Sequence, residues 1–144
     1  MKIEDIFEMW GEDAIVDPTD LSAESVKVPK LHHKYYQIHS REYMLLKKKQ
    51  EEFKVLYRDK YEYYRGQLDY ETMKSRGWEP FELKVMKGDV GIYMEADTDI
   101  INANLSIALQ QEKVDVLKAI IKDLSQRSYH INNAIDFQKF QMGA

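Results

Sequence analysis

Cysteine is absent from this 144-residue chain. With it go the thiol nucleophile, the zinc-thiolate site, the iron-sulfur cluster and the disulfide, so any metal would have to rest on histidine and carboxylates. Histidine itself is sparse, and His33 and His39, six apart, share no close face of a helix, which argues against a metal site. No apolar run approaches the length of a membrane span. The opening MKIEDIFEMW lacks the apolar core and cleavage site of a secretion signal, so an intracellular setting is expected. Neither a Gly-x-x-x-x-Gly-Lys loop nor a Gly-x-Gly-x-x-Gly turn occurs, which leaves nucleotide hydrolysis to a partner. The carboxylates form no constellation with a nucleophile or metal ligand, so no catalytic, cofactor-binding or metal-binding residue is assigned and the chain is read as a non-enzyme.

What is present is charge, unevenly spread. The formal net charge is -4, but residues 1 to 26 carry one basic and eight acidic side chains, residues 27 to 66 eleven and five, and residues 67 to 144 nine and twelve. A basic block therefore lies between acidic ends, and basic blocks are where polyanions bind. Eight of the ten tyrosines fall between Tyr35 and Tyr70, in and around that block.

The composition, 44% apolar and 32% charged, suits one globular domain over residues 1–144. Ile3, Ile6, Phe7 and Trp10 make the stripe of a short amphipathic helix that Gly11 frays or ends. Asp17 to Asp20 reads as a turn with a helix cap at Thr19 or Asp20, and Pro29 either kinks the following helix or restarts it. From Lys30 to Arg65 neither glycine nor proline interrupts, which predicts one helix of about 50 Å closed by Gly66. Residues 67–98 read as a turn-rich region with a small β-hairpin, in which Phe81, Leu83 and Val85 precede Lys87-Gly88-Asp89, then Val90, Ile92 and Met94. Asp97-Thr98-Asp99 caps a second long helix that buries Ile101, Leu105, Ala108 or Leu109, Val116, Ile120 and Leu124. A turn around Ser125 to Ser128 leads to a last helix, so residues 99–144 are expected as a helical pair. The predicted class is all-α, with long amphipathic helices and possibly the one hairpin.

A helical wheel organises the basic block. Taking Lys47 as zero, Lys54 falls at about -20°, Arg58 at about +20° and Arg65 near zero, with Tyr36, Tyr43 and Tyr61 within about 40° of that line. Cations with rings between them suit single-stranded nucleic acid, because phosphates attract positive charge and unpaired bases stack on flat surfaces. A solvated lysine face in which Glu51 pairs with its neighbours fits the same pattern, and the wheel alone leaves both open.

The stretch YRDKYEYYRG resembles the signature of the UvsY family, the recombination mediator proteins of tailed bacteriophages. That signature runs basic, any, basic, any, acidic, Tyr, Tyr, any, Gly, and is met by Arg58, Lys60, Glu62, Tyr63, Tyr64 and Gly66. Arg127, Tyr129, Ile131, Asp136 and Phe140 recur at similar spacing near the C-terminus, and Asp17, Leu21, Lys34 and His39 add agreement upstream. The resemblance implies a non-catalytic protein of the infected host's cytoplasm that binds single-stranded DNA. It further implies a homo-oligomeric ring of six or seven subunits that helps load a RecA-like recombinase, of UvsX type, onto strands covered by the phage single-strand DNA-binding protein. Arg58 and Lys60 inherit the DNA-binding role, with Lys47, Lys54, Arg65 and Tyr61 added from the wheel. Here the lysine and arginine of the motif are exchanged and Asp59 stands between them, which implies weaker local affinity. Residues two apart on a straight helix point about 200° from each other, so either the helix loosens before Gly66 or Lys60 reaches DNA on a neighbouring subunit. Ile131, Ile135, Phe137 and Phe140 are candidates for subunit assembly and, equally, for intrachain core. The rival readings are a structural or scaffolding phage protein without DNA binding and, more remotely, a magnesium nuclease.

Overall fold

The computed structural model describes residues 1–83 and 85–143, leaving Lys84 of the expected hairpin and Ala144 outside the described residues. In order, the elements are α1 (Ile3–Asp13), α2 (Leu21–Tyr64), α3 (Tyr70–Arg76), α4 (Val90–Glu95) and α5 (Thr98–Gln141). No strand occurs among the described residues, as an all-α chain requires. The chain divides into two compact units, residues 1–44 with 110–144, and residues 45–109; α2 and α5 contribute to both.

Each boundary has a local cause. The Asp20 carboxylate accepts from the Ala23 N–H at 3.3 Å and starts α2. Pro29 lies inside α2, which runs on through it. At the other end Gly66 takes φ +70°, and its N–H donates to Tyr63 O while Gln67 N–H donates to Glu62 O at 2.8 Å. This double closure satisfies orphan carbonyls and favours a residue without Cβ. The Asp97 carboxylate accepts from Ile100 N–H at 3.0 Å and caps α5. Gly11 does not end α1, which continues to Asp13.

In the first unit the core joins α1, α2 and α5 through Ile6, Tyr35, Ile38, Leu117, Ile120 and Leu124, with Trp10 packed edge-on against Tyr35 at 5.5 Å. An eleven-residue helix such as α1 is marginal alone, and this docking stabilises it. Asp13, its last residue, accepts from Tyr35 Oη and Lys34 Nζ, both at 2.7 Å. In the second unit Val85, Val90, Met94 and Ile100 form a smaller core under Phe53, Tyr61, Tyr64 and Phe81.

Three expectations change. The hairpin does not form: Val90 and Met94, four apart, are buried while Ile92 points to solvent, so the apolar period is that of a helix and residues 90–95 are α4. The turn at 125–128 is absent and residues 98–141 form one helix rather than a pair. Ser125 Oγ donates back to Ile121 O at 2.9 Å, which keeps the serine within the helical ladder, and Arg127 turns inward to donate to Asp13 O at 3.0 Å. Finally, α5 buries Ile100, Gln110, Val114, Leu117, Ile120, Leu124, Arg127 and Ile131, leaving Ile101, Leu105 and Leu109 exposed. Polar side chains at two inward positions disguised the true stripe. Gln110 is satisfied there by donating to Glu42 Oε2 at 2.6 Å.

Candidate nucleic-acid interface

The cations of the basic block divide by the face of α2 from which they spring, and the second unit shows both outcomes. Lys47, Lys54 and Arg58 are exposed. Lys54 Nζ lies 2.9 Å from Glu51 Oε1 with both side chains in water, a pairing of little strength that a phosphate can displace. The Arg58 side chain is 67% exposed, and its contact with Asp59 is long at 3.4 Å. Arg65 is half-buried and donates to Val85 O at 3.2 Å. Tyr61 is drawn partly into the second core beside Phe53 and Tyr64, so it is a packing ring more than a surface one.

Lys60 departs most from expectation. It is 5% exposed, and its Nζ lies 3.0 Å from Asp97 Oδ2 and 2.9 Å from Asp99 Oδ2. The same ammonium sits 3.9 Å from the centroid of Trp78 and 5.4 Å from that of Tyr63. Two carboxylates and two ring faces thus enclose one lysine, a cage that compensates a buried charge by ion pairing and cation–π attraction. Trp78 is itself fixed, since its Nε1 donates to Asp99 at 3.1 Å. The α-helix is regular through Tyr64, so Arg58 and Lys60 face opposite ways: one reaches solvent and the other the interior. Lys60 is not a surface cation, and neither loosening of the helix nor a neighbouring subunit is needed to explain its direction.

Asp97 binds the cage to the capping network. Burial alone would raise its carboxyl, but the Tyr64 hydroxyl at 2.5 Å, the Ile100 N–H and Lys60 outweigh that and hold it below the ordinary value of 3.8. The Tyr64 hydroxyl is pushed up by burial and by donating to that carboxylate. Tyr63 Oη donates to Glu79 O, and the rings of Tyr63, Tyr64, Trp78, Phe81 and Tyr93 pack on one another at 5.1 to 6.0 Å. The tyrosines of the signature are therefore largely structural.

Asp59, expected to weaken the basic face, is buried, and its Oδ2 accepts from Arg76 Nε and Nη2 at 3.2 and 2.8 Å. Its charge is compensated from α3 rather than set against Arg58. Arg76 and Lys49 also line a cleft of about 240 Å³ with Glu52, Phe53, Leu56 and Ser106, where Lys49 Nζ donates to Ser106 Oγ at 2.7 Å. Neither residue stood out in the sequence, because Lys49 lies off the wheel's cationic line and Arg76 belongs to a short separate helix. Among the assembly candidates Ile131 is buried in its own chain and Ile135 is half-buried, while Phe137 and Phe140 are 60% and 78% exposed. Ile131 is a core residue, unlike the two phenylalanines. Among the described residues no group of histidines and carboxylates could hold a metal ion, and no helix is long and apolar enough to cross a membrane.

The fold is similar to that of solved structures of the bacteriophage T4 recombination mediator protein UvsY. Lattice type II aligns over 99% of this chain and 98% of that one with a TM-score of 0.84 at 21% identity. Lattice type IV aligns over 97% and 99%, also with a TM-score of 0.84. In sequence the chain is 22% identical over 143 residues to the recombination protein uvsY of Enterobacteria phage T4, covering 99% of both. From residue 9 to residue 144 it matches the family described as recombination, repair and ssDNA binding protein UvsY, and it belongs to that family of binding proteins rather than enzymes.

Proposed function

We propose that the chain is a recombination mediator that grips single-stranded DNA through the outward cations of α2 and helps load a RecA-like recombinase onto strands covered by single-strand DNA-binding protein. The observation that carries this reading is the separation of the basic block into exposed Lys47, Lys54 and Arg58 on one side and a caged Lys60 on the other. Phosphates meet the first three. Arg65, half-buried and tied to Val85, supports the end of the row. Lys60 acts through position: it joins the last turns of α2 to Asp97 and Asp99 at the start of α5, and so sets the orientation from which Arg58 is presented.

Each subunit contributes few cations, so tight binding comes from many copies on one assembly, where the second contact benefits from the effective concentration created by the first. A ring of six or seven subunits, joined through apolar surface that includes Phe137 and Phe140, meets that need in the cytoplasm of the infected host. Bending a strand around such a ring weakens its hold on the single-strand DNA-binding protein and offers a bare segment to the recombinase. The test is affinity for oligo-dT across a salt series. A steep linear fall of log K with log salt is expected, by about 0.7 per phosphate neutralised. A response that stays flat would remove the reading.

A further inference from the structure

Four rings follow one another along α2 in the first unit, at positions 32, 36, 39 and 43. The rings of His32 and Tyr36 are 6.1 Å apart and 13° from parallel, Tyr36 and His39 6.4 Å and 32°, and His39 and Tyr43 6.1 Å and 17°. Intervals of three and four residues return to one face at each turn, which explains the regular step. Tyr36, in the middle of the row, is 56% exposed and Tyr43, at its end, 39%, whereas the Nε2 of His39 between them is buried.

Charge beside the row has the sign a nucleic acid needs. Lys118 of α5 lies near enough to His39 for its charge to add to burial in lowering the basicity of the imidazole, and its side chain is exposed. The row thus supplies flat faces with a cation alongside.

We infer that the ring row His32–Tyr36–His39–Tyr43 is a stacking platform for unpaired nucleobases, distinct from the phosphate-binding cations of the second unit. This rests on the single-strand reading above and adds the bases as the recognised chemistry. Because stacking is indifferent to base identity, the platform favours unpaired strands over duplex without choosing a sequence.

Two oligonucleotides of equal length and charge separate the two ideas: oligo-dT, and a strand of abasic sugar-phosphate units. The intact protein should bind oligo-dT more tightly. Tyr36→Ala should weaken oligo-dT binding by about fivefold or more, the equivalent of one lost stacked base, and leave the abasic strand unaffected. Tyr36→Phe, which keeps the ring, should retain the preference. Because the ratio is taken within each variant, a change in stability or subunit number common to both strands cancels. An unchanged ratio in Tyr36→Ala overturns the platform while sparing the phosphate row. Failure of the intact protein to bind either strand overturns both.

Discussion

Lys60 and Arg58 are two residues apart yet belong to different physical problems. Arg58 stands in water and its removal should leave stability within about 0.5 kcal/mol of the parent, as surface changes do. Its loss should appear instead in DNA binding, as a reduced salt slope; urea melts beside the salt series check both. Lys60 is enclosed, and Lys60→Ala leaves Asp97 buried without its cation, a change that typically costs about 3 to 5 kcal/mol. A melt shifted by that amount is expected, and an unshifted one would mean that the cage is not closed in solution. Lys60→Ala should also depress DNA binding, though through the misplacement of Arg58. Pairing it with Asp97→Asn should recover part of the lost stability because the unpaired charge is then gone. Double-mutant analysis by denaturation would measure that coupling.

At the scale of the helix, the ends and the outward faces decide behaviour. Gly66 holds φ +70°, which a side chain adopts at a cost of about 1 kcal/mol, so Gly66→Ala should lower stability by that order and loosen the turn after Tyr64. A urea melt checks this. The far end of α5 is different. Phe137 and Phe140 are exposed there, whereas Arg127 and Ile131 on the same helix are buried. Replacing both phenylalanines by serine should leave the helical content intact by circular dichroism and reduce the subunit number seen by sedimentation. A truncation that removed Arg127 and Ile131 would disturb the core of the first unit as well. If the double substitution leaves the subunit number unchanged, assembly uses another surface.

For the molecule as a whole, acid should be more damaging than mild alkali, and the sign follows from the groups involved. Burial raises the Asp13 carboxyl, but Lys34, the Tyr35 hydroxyl and Arg127 outweigh it, so it lies below its ordinary 3.8, as does Asp97. A depressed carboxyl stabilises the folded chain above its unfolded value and loses that contribution as pH falls through the folded one. His39 is lowered from 6.5 by burial and then by Lys118, and its Nε2 is buried without a hydrogen-bond partner. Its neutral form is the folded one, so its contribution is present above 6.5 and fades as pH drops through the lower folded value. Tyr35 and Tyr64, both raised, keep their contribution below 10. Urea midpoints should therefore be level from pH 7 to 9 and decline in two stages below, first with His39 and then with the carboxylates. His39→Gln should remove the first stage.

Much of this was written in the chain itself. A stretch without glycine or proline from Lys30 to Arg65, rich in Lys, Glu, Gln, Leu and Arg, favours a long helix, Gly66 and Asp97 suit its end and the start of the next, and charge segregation points to the cationic face. These are local properties, set by near neighbours. The tertiary structure decided what pairs across distance. Whether a lysine is a surface cation or a caged one depends on Asp97, Asp99 and Trp78, residues 18 to 39 positions further on, and helical spacing carries no information about them. The same holds for Gln110 and Arg127, whose polar side chains enter the interior where Glu42 and the Asp13 carbonyl, from other elements, accept from them, although Arg127 Nη1 is buried there without a hydrogen-bond partner.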